Sequence, residues 1–467
     1  MSERSPRPRP RRGNVADRIV IAFVLVISLA LSPDLAKAAP SVTNVHAAQR
    51  GGGSGLVDVY YDLSGAQAPT TVTVRFSADN GVTWSVTPSA GALSGDVGGG
   101  AANGANRHII WNAGADRPGV HWPQAKAQVT ARDASATTGS IEMRDVPAGT
   151  FIMGNSRRGD DLDYGHADEL PTHTVTLSAY QIGKYEVTNR QMCDVLNWAL
   201  GRGYLKNSNG DAYAGGDVYA SGQRLLVVSS SYCDVAYSGG AFTWKSRTGS
   251  GGTLYSMQNH PVTCVTWYGC VAFCNWLSEK EGRTPCYNLS TWALIIPYPN
   301  GYRLPTEAEW ERAAAWDGSK HWIYSFVSDT LTGDNRCNYY NGHYVNPLGL
   351  TGYPYTSPVG WFNGLNVSPN GNVQTVDSPS PSPVGAYDMS GNVWEWCHDW
   401  YNSSYYSGGA MTNPTGPGSG SYRVLRGGGW LDDFLFGFSF CRSAFRGNSF
   451  YPFYCYSDLG FRLSRTQ

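Results

Sequence analysis

The second part of this sequence, beyond residue 140, predicts only three helices, separated by long stretches rich in Gly, Tyr, Asn and Ser. Thr188 and Thr306 each stand three residues before a Gln or Glu, which is the capping-box pattern that begins a helix. A third helix is predicted over residues 267–281, where apolar side chains recur at helical spacing. Loops of this length are uncommon in a compact domain, so we expect internal hydrogen bonds to hold them rigidly.

Residues 40–134 have a different pattern, in which apolar and polar side chains alternate. The alternation is clear at Val57–Tyr61 and Val72–Phe76, and it predicts half-buried strands. Short strands at regular spacing predict a small all-β sandwich, which resembles immunoglobulin or fibronectin-III-like modules in architecture. We expect this part to serve as a spacer, followed by a linker of small residues at 134–139.

The first 39 residues have the composition of a secretory signal peptide. A basic start precedes an apolar run of 13 residues, Ile19–Leu31, and Ala36-Lys37-Ala38 forms an A-x-A cleavage pattern. The run is short for a membrane span, although an uncleaved N-terminal anchor stays an alternative. We therefore expect a secreted, periplasmic or cell-surface protein without a stable membrane span after signal removal.

The charge balance excludes one class of partner. Lys and Arg number 35 against 36 Asp and Glu, a net charge of −1, whereas a polyanion-binding surface needs excess basic charge. Nucleic acid is therefore not an expected partner. The ten cysteines all lie at or beyond Cys193, and an exported protein can oxidise them, but their pairing does not follow from the sequence.

Several motifs in chain order carry a family resemblance. They include Lys184–Asn189, Arg303–Glu311, Tyr387–Trp396, Arg423–Gly428 and Gly460–Arg462. With these motifs, residues 140–467 resemble the formylglycine-generating-enzyme family, also called sulfatase-modifying factors. The resemblance implies an α+β, C-type-lectin-like fold with little regular secondary structure, preceded here by the β-sandwich module. Glu307, Glu309 and Glu311 look like paired carboxylates, but we expect them to cap and decorate a helix.

The resemblance also implies a specific chemistry, the oxidation of a substrate cysteine. Family enzymes use two cysteines five residues apart that bind copper(I) through soft thiolates. The matching stretch here, Trp430–Phe440, contains no cysteine. We therefore expect no catalysis and no copper. A replacement pair made of Cys441 and Cys455 is the alternative, with a spacing that differs from the family's.

A structural calcium ion is implied by the same resemblance, at the segment Gly391–Glu395. Amide and carboxylate oxygens suit a hard cation, and Asn392 and Glu395 are the candidate side-chain ligands, with the Ser390 carbonyl as a further one. Asn338 is a candidate for a second site. The alternative is that Asn392 and Glu395 only tie loops together by hydrogen bonds.

The C-terminal stretch 431–459, called here the aromatic segment, has an unusual composition. It holds seven of the chain's 15 Phe together with three Tyr. We interpret all ten as candidate ligand contacts: Phe434, Phe436, Phe438, Phe440, Phe445, Phe450, Tyr451, Phe453, Tyr454 and Tyr456. Rigid aromatic side chains give contact area at low entropy cost. Alternation at 434, 436, 438 and 440 would instead suit one face of a strand, with half of the set in a core.

The aromatic segment also lacks Lys, Glu, Gln, Met and Trp. It lies between Gly427–Trp430 and Gly460–Arg462, and in this it resembles the variable proteins of diversity-generating retroelements. In those proteins Asn codons are randomised at adenines, and the resulting codons cannot encode the five missing types. The expected function is an exported, non-catalytic protein that binds a protein or cell-surface macromolecular ligand. The alternative is a copper-dependent oxidase that converts a substrate cysteine to formylglycine.

Overall fold

A computed structural model describes residues 41–51, 53–64, 70–78, 80–81, 86–99, 103–119, 126–133, 141–369, 371, 373, 375, 379–432 and 437–467. The chain divides into two compact units at residues 136/137, and each is described by itself. The predicted signal peptide at 1–39 and the linker at 134–139 lie outside the described residues.

The N-terminal unit consists of two antiparallel sheets. One sheet has four strands, in the spatial order Ser41–Gln49, Leu56–Ser64, Gly104–Asn112 and Leu93–Gly95. The other has three, in the order Gly98–Gly99, Thr70–Ser77 and Lys126–Asp133. A short helix, Ala113–Asp116, and a 3₁₀ turn, Ala90–Ala92, complete the described part of this unit.

The predicted alternation explains how these two sheets pack. Val59, Tyr61 and Leu63 on one sheet, and Val72 and Val74 on the other, are buried in a single shared core. Successive side chains of a strand point to opposite faces, so every second residue enters this core. The strand prediction is confirmed, and the assignment to the immunoglobulin or fibronectin-III class stays a prediction.

The C-terminal unit has five described α-helices, and its three long ones are those that the sequence predicts. The helices are Asp160–Tyr164, Asn189–Gly201, Trp267–Lys280, Glu307–Ala315 and Gly437–Phe440. Short 3₁₀ turns lie at Ala167–Glu169, Ser250–Gly252, Met257–Asn259 and Tyr405–Gly408. Both predicted capping boxes are confirmed: Thr188 with Gln191 and Thr306 with Glu309 exchange side-chain and backbone hydrogen bonds.

The strands of this unit form small sheets rather than one large one. Three sheets have three strands each: Met411–Thr412, His173–Leu177 and Gly149–Met153; Ser464–Thr466, Tyr180–Gly183 and Met143–Val146; Arg423–Arg426, Trp394–Trp400 and Leu459–Gly460. Four hairpins pair Val218–Ala220 with Gln223–Leu226, Val235–Ser238 with Ala241–Trp244, Ser246–Thr248 with Leu254–Ser256, and Tyr287–Asn288 with Ala293–Leu294.

The third of these sheets positions the aromatic segment. Its central strand, Trp394–Trp400, pairs antiparallel with Arg423–Arg426 and parallel with Leu459–Gly460. The chain therefore leaves the sheet just before the aromatic segment and returns to it directly afterwards. The strands on both sides of the segment pair with this one central strand, and the described residues between them form a long connection.

The strand alternative for part of this segment does not hold in its described residues. The alternation at 434–440 suggested a strand, but Gly437–Phe440 is a short helix, and Phe434 and Phe436 lie outside the described residues.

Across the described parts of both units, no helix is both long and apolar enough to cross a membrane.

Candidate ligand-binding surface

Buried arginines anchor the first half of the aromatic segment to the core. Arg442 donates to Asp161 at 2.8 Å and to both oxygens of Glu169 at 2.6 and 2.9 Å. Arg446 forms a bidentate pair with Glu307 at 2.7 and 2.9 Å. All of these side chains are almost completely buried. Bidentate charged hydrogen bonds are short and directional, so they fix the backbone at both arginines.

A third arginine extends this network to the strand that precedes the segment. Arg426 donates to Glu311 and, at 2.8 Å, to the Ser443 carbonyl. Glu311 also accepts from the Gly154 amide at 2.6 Å, and its pKa is lowered to about 2 because Arg426 and other donors outweigh its burial. Of the three glutamates expected to cap and decorate the helix Glu307–Ala315, only Glu309 caps it. Glu307 and Glu311 are buried partners of arginines instead.

The aromatic side chains in this anchored half face inward. Phe445 is only 8% exposed and packs against Phe440 and Trp394, with ring centroids 4.9 and 5.7 Å away. Phe438 and Phe440 are half-buried, and Phe438 contacts the ring of Tyr164 edge-on at 4.8 Å. The prediction that Phe445 contacts ligand is not supported by this position, because its ring belongs to the core.

The second half of the segment places its rings at the surface. Phe453 is 48% exposed and Tyr456 is 47% exposed. Tyr451 stacks on Phe453 at 5.2 Å, and Tyr454 lies within 5.3 Å of Tyr451. The set is completed by Phe450, 5.5 Å from Tyr456, and by Tyr422, 4.8 Å from Tyr451. We call these six residues the aromatic surface: Tyr422, Phe450, Tyr451, Phe453, Tyr454 and Tyr456.

The structure therefore brings together five of the ten predicted contact residues. Sequence reasoning missed Tyr422, because it precedes the segment and carries no compositional signal of its own. Two of the six rings are about half exposed and the other four are partly buried, with Phe450 also packed against the core. Together the rings form a contiguous aromatic patch with polar hydroxyl groups, which is the chemistry of protein-binding surfaces.

A pocket of about 310 Å³ adjoins this surface. Its lining includes Tyr456 and Leu431 from the aromatic segment and Tyr232 and Tyr353 from distant loops. Cys264 and Cys455 also line it. Sequence reasoning did not find Tyr232 or Tyr353, since nothing in the local pattern shows that these loops meet the segment.

The side chains expected to bind calcium are occupied by other partners. Both carboxylate oxygens of Glu395 accept from Arg462 at 2.6 Å, and one also accepts from the Trp310 indole at 2.8 Å. The Asn392 carbonyl oxygen accepts from the Ser357 amide at 2.8 Å. These hydrogen bonds tie loops together, as in the alternative given for Asn392 and Glu395.

The Asn392 side chain has a further partner in Glu186. The Asn392 amide group donates to Glu186 at 3.1 and 3.2 Å, which completes the tie between loops. In the described part of the chain, no group of three or more His, Cys, Asp or Glu side chains is arranged to hold a metal ion. Calcium at Asn392 and Glu395 stays a prediction for direct metal analysis.

The two cysteines suggested as a replacement catalytic pair have different neighbours. The thiol of Cys441 hydrogen-bonds with Cys337, and both lie in one closed apolar core. Cys455 lines the pocket beside Cys264 instead. The structure therefore pairs Cys441 with a partner that the sequence did not indicate.

The sequence of this chain is similar to those of known proteins. The family model described as "Sulfatase-modifying factor enzyme 1-like domain" matches residues 128–467. The formylglycine-generating enzyme of Thermomonospora curvata is 34% identical over 298 residues, which cover 61% of this chain and 81% of that protein. The mouse formylglycine-generating enzyme is 28% identical over 365 residues, 74% of this chain and 83% of that one.

Among solved structures, Treponema denticola variable protein 1 is similar at 27% identity and a TM-score of 0.43. The alignment covers 70% of this chain and 95% of that one. PvdO from Pseudomonas aeruginosa is similar at 23% identity and a TM-score of 0.44, over 71% and 96% of the two chains.

Proposed function

Because this chain belongs to the sulfatase-modifying factor enzyme 1-like family, we propose that it uses the family fold as a rigid frame for binding a macromolecular ligand. The binding site is the aromatic surface, and the ligand is a protein or another cell-surface macromolecule. The protein is exported, and its N-terminal unit acts as an immunoglobulin- or fibronectin-III-like spacer.

The observation that carries this proposal is the contact between exposed and partly exposed rings on an anchored backbone. Tyr451, Phe453, Tyr454 and Tyr456 contact one another at the surface, directly after the ion-paired Arg446. Tyr and Phe have few rotatable bonds, so their immobilisation on binding costs little entropy. An anchored frame lowers that cost further, because the rings are positioned before the ligand arrives.

The origin of the surface is the second part of the proposal. The aromatic segment lacks all five residue types that randomised Asn codons cannot encode, and it ends at the motif Gly460–Arg462. We infer that the segment is diversified by a retroelement. Sequencing the flanking genomic DNA tests this: a near-identical copy of the codons for 427–462, differing only at adenines and beside a reverse transcriptase, is the expected result. Its absence would overturn the diversification and leave binding to be tested separately.

Binding is tested with a protein array probed by three forms of the full chain. One is unaltered, one has Tyr451, Phe453 and Tyr456 changed to Ser, and one has Ile152, Leu162 and Leu254 changed to Ser. The last three residues are exposed apolar side chains outside the aromatic surface, at 45%, 67% and 68% exposure. We expect array targets that still bind the form altered at Ile152, Leu162 and Leu254 but no longer bind the form altered at Tyr451, Phe453 and Tyr456. If both variants bind the array targets equally well, the aromatic surface is excluded as the binding site.

A second candidate function is the oxidation of a substrate cysteine to formylglycine. The relative from Thermomonospora curvata favours it, since it bears the name of that activity at 34% identity. The lack of cysteine in Trp430–Phe440 speaks against it. Incubation of the protein with copper(I), oxygen and a cysteine-containing peptide, followed by mass spectrometry for the aldehyde, separates the two functions. We expect no aldehyde.

A further inference from the structure

Two pairs of cysteine thiols lie within hydrogen-bonding distance of each other in the C-terminal unit. Cys233 pairs with Cys264, and Cys337 pairs with Cys441. All four are buried, with at most 3% exposure. The partners are distant in sequence, so only the fold brings them together.

The surroundings of the two pairs differ. Cys337 and Cys441 are enclosed in one apolar core with Phe326 and Tyr339. Cys264, in contrast, lines the pocket beside the aromatic surface. A reagent can therefore reach the first pair only by opening the core, whereas the pocket leads to the second.

Cys264 is held firmly at this position by its backbone. Its amide donates to the Tyr456 carbonyl at 2.9 Å, and its carbonyl accepts from the Val227 amide at 3.1 Å. Its φ is +57°, a left-handed conformation that is uncommon for residues other than glycine. Such strained positions persist where neighbouring contacts fix them, and they often mark functional sites.

The two thiols of this pair are electrostatically distinct. The hydrogen bond from Cys233 lowers the pKa of Cys264, aided by Ser230 and Thr263, although burial opposes it. The same bond, together with burial, raises the pKa of Cys233. The pocket lining includes Cys264 and not Cys233, so a ligand in the pocket meets the Cys264 thiol first. The thiolate is the nucleophile in disulfide exchange, and Cys264 is therefore the first to attack and Cys233 the second.

The third cysteine near this pocket is less suited to attack. Burial raises the pKa of the Cys455 thiol to about 11, so it stays protonated near neutral pH. The lining of Tyr232, Tyr353 and Leu431 accommodates an apolar or aromatic group beside Cys264.

We propose that Cys264 and Cys233 form a dithiol site in this pocket that reduces the disulfide bond of an aromatic or apolar ligand. The Cys264 thiolate attacks one sulfur of the ligand, forming a mixed disulfide and releasing the first ligand thiolate. Cys233 then loses its proton, attacks the Cys264 sulfur and releases the second ligand thiolate. The ligand disulfide gains two electrons and two protons overall, and the two cysteines become a disulfide.

The probe for this site is 2,2′-dithiodipyridine, a neutral aromatic disulfide whose reduction releases coloured pyridine-2-thione. Limiting probe is added to the folded full-length protein, and the disulfides are mapped by mass spectrometry after acid quenching. We expect the Cys233–Cys264 link to form at least tenfold faster than the Cys337–Cys441 link. Equal rates, or reaction at Cys455 with Cys264 left free, would overturn the proposal.

A variant that traps the mixed disulfide and a matched control variant test the same site. In Cys233→Ala the second step is blocked, so a stable pyridyl adduct should remain on Cys264. In Cys337→Ala the corresponding adduct on Cys441 should form at least tenfold more slowly, because no pocket leads to it. If Cys264 in the first variant reacts as slowly as Cys441 in the second, the site is excluded. The mapping on unaltered protein decides the question if either variant fails to fold.

Discussion

The two halves of the aromatic segment have similar compositions and different surroundings. Residues 437–446 contain Phe438, Phe440 and Phe445, whose rings pack into or against the core. Residues 448–456 contain five aromatic side chains that contact one another; Phe450 also packs against the core, whereas Phe453 and Tyr456 are about half exposed. Ion-paired arginines account for the difference, since Arg442 and Arg446 lie in the first half and the second half has no arginine.

An aromatic excess does not by itself identify a binding surface. A Phe near a buried ion pair is drawn into the core, because the backbone there is already fixed against other elements. A Phe beyond the last ion pair, such as Phe453, can remain at the surface while its backbone is still held at Leu459–Gly460. Arg446 therefore marks the expected boundary between core rings and surface rings.

The largest effect is expected from removing the charge of the first anchor. Arg442→Met would leave Asp161 and Glu169 buried without their cation, which costs about 3–5 kcal/mol in similar cases. Urea unfolding followed by Trp fluorescence measures this loss. Arg202→Met, at an exposed arginine, should change stability by less than about 0.5 kcal/mol. Equal losses for the two variants would contradict the anchoring role.

The next effect concerns the core ring of the first half. Phe445→Ala should lower the free energy of unfolding by about 3 kcal/mol, since it leaves a cavity beside Phe440 and Trp394. The same urea titration measures it. A loss under about 1 kcal/mol would show that the ring is free to face a ligand after all.

A pH-dependent effect is expected at Asp458, which follows the exposed half but is buried. Burial raises its pKa to about 6, above the ordinary value of 3.8. The folded state thus binds more protons than the unfolded state, and stability falls as the pH rises from about 4 to 6. Asp458→Asn removes this cost and should gain about 3 kcal/mol relative to the unaltered protein at pH 7, with little gain at pH 4.

Thermal unfolding of both proteins across this pH range checks the sign. Asp211→Asn, at an exposed position, serves as the control and should give parallel curves. A gain that is the same at pH 4 and pH 7 would contradict the role of ionisation at Asp458.

The smallest change in stability is expected in the second half. Phe453→Ala should alter the free energy of unfolding by less than about 0.5 kcal/mol, because nearly half of the side chain is already exposed. The same variant should weaken binding to any array target by about tenfold, as for a ring at the centre of an interface. A loss of stability as large as that of Phe445→Ala would abolish the distinction between the halves.

Much of the fold could be predicted because its signals are local. The capping boxes at Thr188 and Thr306 and the alternation at Val57–Tyr61 depend on neighbouring residues alone. The candidate site could be predicted only in part. Whether Phe445 or Phe453 is exposed depends on the distant acids that bind Arg442 and Arg446, and a charged arginine in a sequence gives no sign that its partner is buried 139 residues away.

Glu395 also has a distant partner that the sequence does not show, although a glutamate is a suitable ligand for calcium. Its carboxylate is instead taken by Arg462, whose position 67 residues later shows no pairing in sequence. The thiol pairs are a further case, since Cys233 and Cys264 meet only because two loops fold onto the same pocket.

One sheet constrains the order in which the strands of this unit can pair during folding: it joins Met143–Val146, Tyr180–Gly183 and Ser464–Thr466. Its central strand pairs early with a neighbour only 34 to 40 residues before it, but the other edge waits for Ser464–Thr466. That edge of the sheet therefore forms only after residues 464–466 are available to pair with Tyr180–Gly183. Because these partners are more than 280 residues apart in sequence, their pairing is expected to be a slow step in folding.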